Sequence, residues 1–269
     1  MFFVSTISAL FCLICSIFIN ISWINDIACY FEYFLAIYIV VFIALIPGFM
    51  FVFMLISLLC DKKEKKKCKS KEDDVTILIP VYNMKKSIVE TIESIKKQKY
   101  CGNIYVNIID DGSTDGTIEL LKSIDLGYDA TLLESEHKGK TFALNYGLQY
   151  VKTDYTITVD GDTVLHPLAV RNIINKLTNS DKKTAATAGC LFVKNAKRTF
   201  ITKLQEWDYT LGIFGVKLYQ GNYNSTLVTQ GAFSAYKTHL LKEIGGWENC
   251  VGEDIVLTWE LLSNGYKTN

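Results

Sequence analysis

The sequence carries no surplus of charge: 28 basic residues balance 28 acidic ones over 269 positions, with only 3 histidines. A general nucleic-acid binder shows a basic excess, so no nucleic-acid partner is expected. Charge is nearly absent from the first sixty residues, where Asp26 and Glu32 stand alone. The remainder is mixed in charge, so the overall composition averages over two solvents. The eight cysteines form no framework. Cys12, Cys15, Cys29 and Cys60 lie in or beside apolar runs, and Cys68, Cys101, Cys190 and Cys250 are isolated. The single C-x-x-C, at Cys12 and Cys15, has no second pair and no histidine beside it, which argues against zinc or a redox centre. Buried free thiols in a reducing compartment are expected instead. No G-x-G-x-x-G follows the first strand of the soluble half, which argues against a dinucleotide-binding oxidoreductase. No internal repeat is present.

What the first sixty residues do hold is two long apolar runs, Phe2 to Trp23 and Tyr33 to Cys60. About 20 apolar residues cross a bilayer as a helix, so each run predicts a transmembrane span. A cleaved signal peptide is the alternative for the first, but it lacks a basic leader and a small-residue cleavage site. Pro47-Gly48 predicts a kink or break in the second. The lysine-rich stretch from Asp61 to Lys71 follows at once, and lysines at a membrane boundary mark the cytoplasmic side. The same stretch serves equally as a solvated linker. The expectation is an integral membrane protein of the plasma membrane. It has a membrane region over 1–60, a basic linker over 61–74 and a cytosolic domain over 75–269. The sequon at Asn224 would then go unused.

From residue 75 the pattern alternates. Strands are predicted over 75–81, 104–109, 131–134 and 155–159, and helices over 84–98, 117–124, 141–150 and after Pro167. Strand–helix alternation with short connections predicts an α/β fold with a doubly wound parallel sheet. Ligands of such sheets bind beyond the carboxyl ends of the strands. Asp110-Asp111 and Asp160-Gly161-Asp162 fall at two such ends. One Asp-Gly turn is ordinarily explained by local hydrogen bonds to the backbone. Two, each closing an apolar strand, point to function. Converging carboxylates repel unless a cation sits among them. A hard divalent ion, Mg²⁺ or Mn²⁺, completed by a substrate diphosphate, would fit. Glu253-Asp254 opens a further helical pattern. The helix dipole alone accounts for acids there, while the functional alternative is a general base acting on an acceptor hydroxyl.

PVYN at 80–83, DDGSTDGT at 110–117, HKGKTFALNYGL at 137–148, VDGDT at 159–163, QGAFSAY at 230–236 and GGWENCVGEDIVLTWEL at 245–261 resemble family 2 glycosyltransferases. The likeness is to the membrane-bound processive group, which makes hyaluronan, chitin, cellulose and, most similar, bacterial poly-β-1,6-N-acetylglucosamine. It spans 75–269. It implies a GT-A type, mostly parallel sheet and an inverting transfer from a UDP-sugar, N-acetylglucosamine being the expected sugar, to an oligosaccharide or polysaccharide. Pro80, Tyr82 and Asn83 would flank the donor base, and Asp110 or Asp111 would bond the uracil. Lys140 would lie near the donor. Asp162 would hold the metal, with Asp160 on metal or donor sugar. Asp254, with Glu253 beside it, would be the base, and Gln230, Gly231 and Ala232 would line the acceptor site. A loop role for His137 is no less expected than a donor contact. Trp207, Trp247 and Trp259 are expected in the core rather than stacked on sugars.

The sequence also departs from that pattern. No Q-x-x-R-W follows the acidic pair before the chain stops at Asn269, fifteen residues past Asp254. A catalytic domain truncated at its C-terminus is therefore expected. Gln230 stands where the group usually has a small residue, and Gly252 where Thr or an acid is commoner. A non-processive transferase to a lipid or glycan, or an inactive membrane partner that binds nucleotide, are the alternatives.

Overall fold

A computed structural model describes residues 2–60, 73–196, 198–223 and 225–269. The lysine run, Cys68 and the Asn224 sequon lie outside the described residues. The chain divides into two compact units, Met1–Lys65 and Lys66–Asn269.

In the first unit α1 spans Phe2–Ala28. The second apolar run is helical over Tyr33–Leu59. Its first part is α2 (Tyr33–Val40) and its last α3 (Ile46–Leu59), with a π-helical stretch, Val41–Leu45, between them. Each of the two helical runs, 27 residues long, is long and apolar enough to cross a membrane. The irregularity expected at Pro47 falls one turn earlier. Proline has no N–H to give the carbonyl four residues back. The ladder has already widened by then, with the Ile46 N–H bonding to Val41 O five residues back. Small residues line the contact between the runs. Ser5, Ala9, Ala36 and Ser57 are fully buried, and the Ser57 hydroxyl lies 3.0 Å from that of Ser5. Close small-residue packing is how apolar helices associate without a hydrophobic drive between them.

The second unit is built on one seven-stranded sheet in the order β3-β2-β1-β4-β6-β5-β7. The strands are β1 (Val75–Val81), β2 (Ile104–Asp111), β3 (Asp129–Ser135), β4 (Tyr155–Val159), β5 (Thr184–Ala188), β6 (Phe233–Lys237) and β7 (Lys267–Thr268). β1 pairs in parallel with β2 and β4, whereas β6 runs antiparallel to both β4 and β5. Every residue of β1 is buried, as expected of a central strand covered on both faces. Pro80 is accommodated there because the ladder with β4 ends at Leu78, two residues before it. Side chains alternate between the faces of the sheet. Ile77 and Ile79 join one core with Ile88, Ile92 and Ile95 of α4 (Ile88–Lys96), along with residues of α5 (Thr117–Ser123) and α7 (Ala169–Asn179). Leu78 and Ile109 join the other, which holds Leu144 and Leu148 of α6 (Lys140–Gln149) and Leu257 and Leu261 of α11 (Glu253–Ser263).

Three departures from the sequence expectations bear on the site. The helix expected from 84 begins at Ile88. Asn83 takes a left-handed φ of 53°, and a turn follows in which the Ser87 and Ile88 N–H groups donate to Met84 O. β2 runs through Asp110 and Asp111, because β1 and β3 pair alongside them (Val81 with Asp110, Asp111 with Ser135). Between β5 and β6 lies a helical stretch that periodicity did not reveal. It comprises α8 (Phe200–Asp208), a π-helical turn Tyr209–Gly215 and α9 (Val216–Gly221). A short α10 (Thr238–Glu243) follows β6.

The seven cysteines among the described residues are free, as expected, but none is buried.

The tightest approach of helix to sheet is at Gly147, where an added Cβ would stand 2.7 Å from Ile109 Cδ1 and 3.3 Å from Leu78 Cδ2. Gly147→Val is therefore expected to overpack this layer and lower stability by about 1–3 kcal/mol. A denaturation midpoint equal to that of the wild type would contradict this.

Candidate active site

The three acidic clusters singled out in the sequence come to one end of the second unit, beyond the carboxyl ends of the parallel strands. β2 and β3 lie on one side of β1 and β4 on the other, so the strand order reverses between β1 and β4, where such sheets bind ligands. The antiparallel β6 starts where β4 ends, with Phe233 opposite Val159 and the Asp160 N–H donating to Ala232 O at 3.2 Å. That pairing brings Gln230, Gly231 and Ala232 beside the Asp160 turn.

Asp111 is 2% exposed. Its Oδ1 accepts the Lys138 N–H at 2.9 Å, and its Oδ2 the Gly139 N–H at 2.9 Å and His137 Nδ1 at 2.8 Å. A buried carboxylate needs such donors. Here they come from the loop that leads into α6 and so fix Lys140. His137 in turn stacks on Tyr82, ring centroids 4.0 Å apart. Gly112, at φ +73°, is required here, since a Cβ would stand 2.8 Å from the His137 nitrogen. Asp110 is equally buried, but only its Oδ2 is satisfied, by the Ser113 N–H at 3.0 Å; Oδ1 has no partner. Asn83 ties the first turn to the second: its N–H donates to Ser113 Oγ at 2.9 Å and its Oδ1 accepts the Thr114 N–H at 2.8 Å. Next to it Asp115 bonds Thr117 and the Lys85 N–H. The Thr117 hydroxyl foremost holds its carboxyl below the ordinary range. Pro80 is buried within β1, whereas Tyr82 and Asn83 stand exposed on the turn.

On the other side, Lys140 Nζ lies 2.6 Å from Asp160 Oδ1 and 3.9 Å from Glu253 Oε1. Asp162 is exposed on the turn. Asp254 sits in the first turn of α11, where the helix dipole favours a carboxylate. Its Oδ2 accepts the Gly231 N–H at 3.3 Å and its Oδ1 the Ile255 N–H at 2.9 Å. Gly252 serves as N-cap with φ +79°, a conformation that threonine or an acid adopts only with strain. Its departure from the usual residue thus has a backbone cause. Gln230 has its Oε1 buried and unpartnered.

Among the described residues, no group of three or more His, Cys, Asp or Glu side chains converges as a metal cage. Asp160 and Asp162 fit a cation of another kind, one held by one or two carboxylates and completed by diphosphate and water. Lys140 already neutralises one oxygen of that pair.

Sequence reasoning missed Lys217. It lies on α9, its Nζ donates to Val228 O at 2.7 Å, and burial pulls its ammonium down to about 8, against the opposing pull of Cys190 and Asp254. The signal available was a lone cation in the apolar stretch LGIFGVKLY. The tryptophans also differ from expectation. Trp247 is buried edge-on against Tyr236, with centroids 5.8 Å apart, but Trp207 is 70% and Trp259 59% exposed. Each lies on the outer face of its helix.

Residues 76–245 match the family model described as Glycosyl transferase family 2. The chain belongs to that family. As a family 2 glycosyltransferase it is similar to poly-beta-1,6-N-acetyl-D-glucosamine synthases. It is 29% identical to that of Staphylococcus aureus strain COL over 197 residues, which is 72% of this chain and 47% of the relative. It is 28% identical over 191 residues to that of Staphylococcus epidermidis, 70% of this chain and 46% of the relative. The chain thus spans about half the length of these curated relatives. Among solved structures, the mannosyltransferase PcManGT of Pyrobaculum calidifontis, in complex with GDP-Man and Mn²⁺, matches with a TM-score of 0.65 at 21% identity, over 81% of this chain and 61% of that one. Residues 1–349 of S. aureus TarS with UDP-GlcNAc match at a TM-score of 0.53 and 18% identity, over 73% and 56%. These neighbours share the GT-A type architecture of a mostly parallel sheet flanked by helices.

The Asp111 clamp gives a measurable consequence. Asp111→Ala leaves the Lys138 and Gly139 N–H groups without an acceptor, while His137 Nδ1 keeps the Asp111 carbonyl at 3.0 Å, and is expected to cost about 2–3 kcal/mol. Urea denaturation would register the loss, and amide exchange at Gly139 should quicken selectively; unchanged protection there would refute the clamp.

Proposed function

We propose that this family 2 glycosyltransferase transfers a sugar, N-acetylglucosamine foremost, from a UDP-sugar to a growing polysaccharide with inversion at the anomeric carbon. The observation that carries this reading is the position of Asp254. Its carboxylate faces the Gly231 N–H at the carboxyl end of the sheet, and Lys140 links Asp160 to Glu253 next to it. Donor and base functions then lie within one cluster of loops. The names of the staphylococcal relatives and the UDP-GlcNAc bound to TarS support the choice of donor.

In this reading the donor nucleotide lies over β1 and β2. Tyr82 and Asn83 flank the base, and Asp110 Oδ1, buried without a partner, accepts an N–H of the uracil. Asp111 acts indirectly, by holding the loop that carries Lys140. Asp160 and Asp162 would hold Mg²⁺ or Mn²⁺, which offsets charge on the departing diphosphate. Lys140 adds a fixed positive charge on the same side. Asp254 takes the proton of the acceptor hydroxyl as it attacks in line, and Glu253 keeps Lys140 oriented. Gln230, Gly231 and Ala232 border the acceptor. Residues 75–269 form the catalytic domain, anchored by the spans within 1–60 through the 61–74 linker, with the lysines on the cytosolic face of the plasma membrane.

The test is UDP release from UDP-N-acetylglucosamine by detergent-purified protein with Mn²⁺. Asp254→Asn is expected to lower the rate about a hundredfold or more, the usual worth of a general base. Asp162→Ala should weaken the response to Mn²⁺. Undiminished release in Asp254→Asn would remove the assigned base, and bound UDP without any release would favour the non-catalytic partner.

A further inference from the structure

Lys217 is a half-buried cation near the acidic pair that this reading leaves without a task. It belongs to α9, an element outside all the motifs, yet three connected hydrogen bonds lead from it to Asp254. The ammonium donates to the Val228 carbonyl at 2.7 Å. One residue on, the Thr229 N–H donates to Thr258 Oγ1 at 2.8 Å, and the two hydroxyls lie 2.7 Å apart. Thr258 stands one turn after Asp254 on α11, and its hydroxyl donates back to the Asp254 carbonyl at 2.6 Å. Two residues further along the loop, the Gly231 N–H reaches Asp254 Oδ2. Thr229 and Thr258 are fully buried, so this lacing has little freedom to rearrange. An ammonium has three donors, and only one is accounted for by Val228. The titratable groups whose charge acts on it are Asp254, at the start of α11, and Cys190, just after β5.

We propose that Lys217 is a positioning residue for the Asp254 carboxylate, latching the 228–231 loop to α9 and setting a positive charge near the carboxylate. Placing a base correctly is worth much, since misplacement by about 1 Å can cost a hundredfold in rate. The inference rests on Asp254 being the base, but its structural half can be judged separately. A burial-lowered ammonium also implies a pH limit: the positive charge beside Asp254 is present below about pH 8 and is lost as pH rises through it, although the neutral amine can still donate to Val228 O.

The test uses the full chain in detergent. Amine acetylation followed by mass spectrometry across pH should give Lys217 a midpoint near 8. That midpoint should fall further in Asp254→Asn, because the carboxylate favours the charged amine. Lys217→Met should speed amide exchange at Gly231 about tenfold, an opening cost of one lost hydrogen bond, and Lys217→Arg should restore it. In UDP release from UDP-N-acetylglucosamine, Lys217→Met should lose about a hundredfold in kcat with KM for the donor little changed. The alkaline limb near pH 8 should move upward in Lys217→Arg, whose guanidinium stays charged. An unmoved acetylation midpoint in Asp254→Asn, unaltered Gly231 exchange, or wild-type kcat in Lys217→Met beside a dead Asp254→Asn would each overturn the proposal. Wild-type turnover in Asp254→Asn would instead sink the base assignment, leaving the labelling and exchange to decide the contact.

Discussion

Like charges gathered at one end of a sheet must be held apart or neutralised, and the whole loop surface of this domain answers that constraint. Lys140 is the central element of the answer, 2.6 Å from Asp160 and 3.9 Å from Glu253. The other carboxylates are held largely by backbone. Asp110 takes the Ser113 N–H, Asp111 those of Lys138 and Gly139, and Asp254 those of Gly231 and Ile255. Amides fixed by the fold cost no side-chain entropy when they bind charge, unlike surface ion pairs. Asp111 and Asp254 thereby become staples between loops as well as charged groups.

The consequence is a division of labour between neighbours that are chemically identical. Asp110 and Asp111 are adjacent and both buried, yet Asp111 has both oxygens engaged and Asp110 has one unspent. An unsatisfied buried oxygen is costly to keep, and ligand binding is a reason to keep it. The same contrast separates Asp160, paired with Lys140, from Asp162, which is exposed. Hydrogen bonding and exposure together distinguish the acids engaged within the protein from those with an oxygen unspent.

Much of this was legible in the sequence. β1, β2, β4 and the helices between them follow from apolar runs and 3.6-residue spacing. The acidic turns mark the strand ends, and the motif set carried the family. Other features were not legible, each for a physical reason. The TAATA of β5 is short and weakly apolar, so its strand state comes from pairing with β6 and β7 rather than from its own propensity. The left-handed Asn83 and the late start of α4 depend on hydrogen bonds to Ser113 and Thr114, thirty residues away in sequence. Trp207 and Trp259 were expected inside because tryptophan is mostly apolar, but a helix packs only one face and theirs is the other.

By itself, then, the sequence determined the period of each element, the placing of charge at strand ends and the two apolar runs, because these are properties of neighbouring residues. Only the tertiary structure decided which acid binds which donor, why Gly252 replaces a larger residue, and that a lysine from α9 is laced to Asp254. Those depend on contacts between segments far apart in the chain, and local pattern holds no record of them.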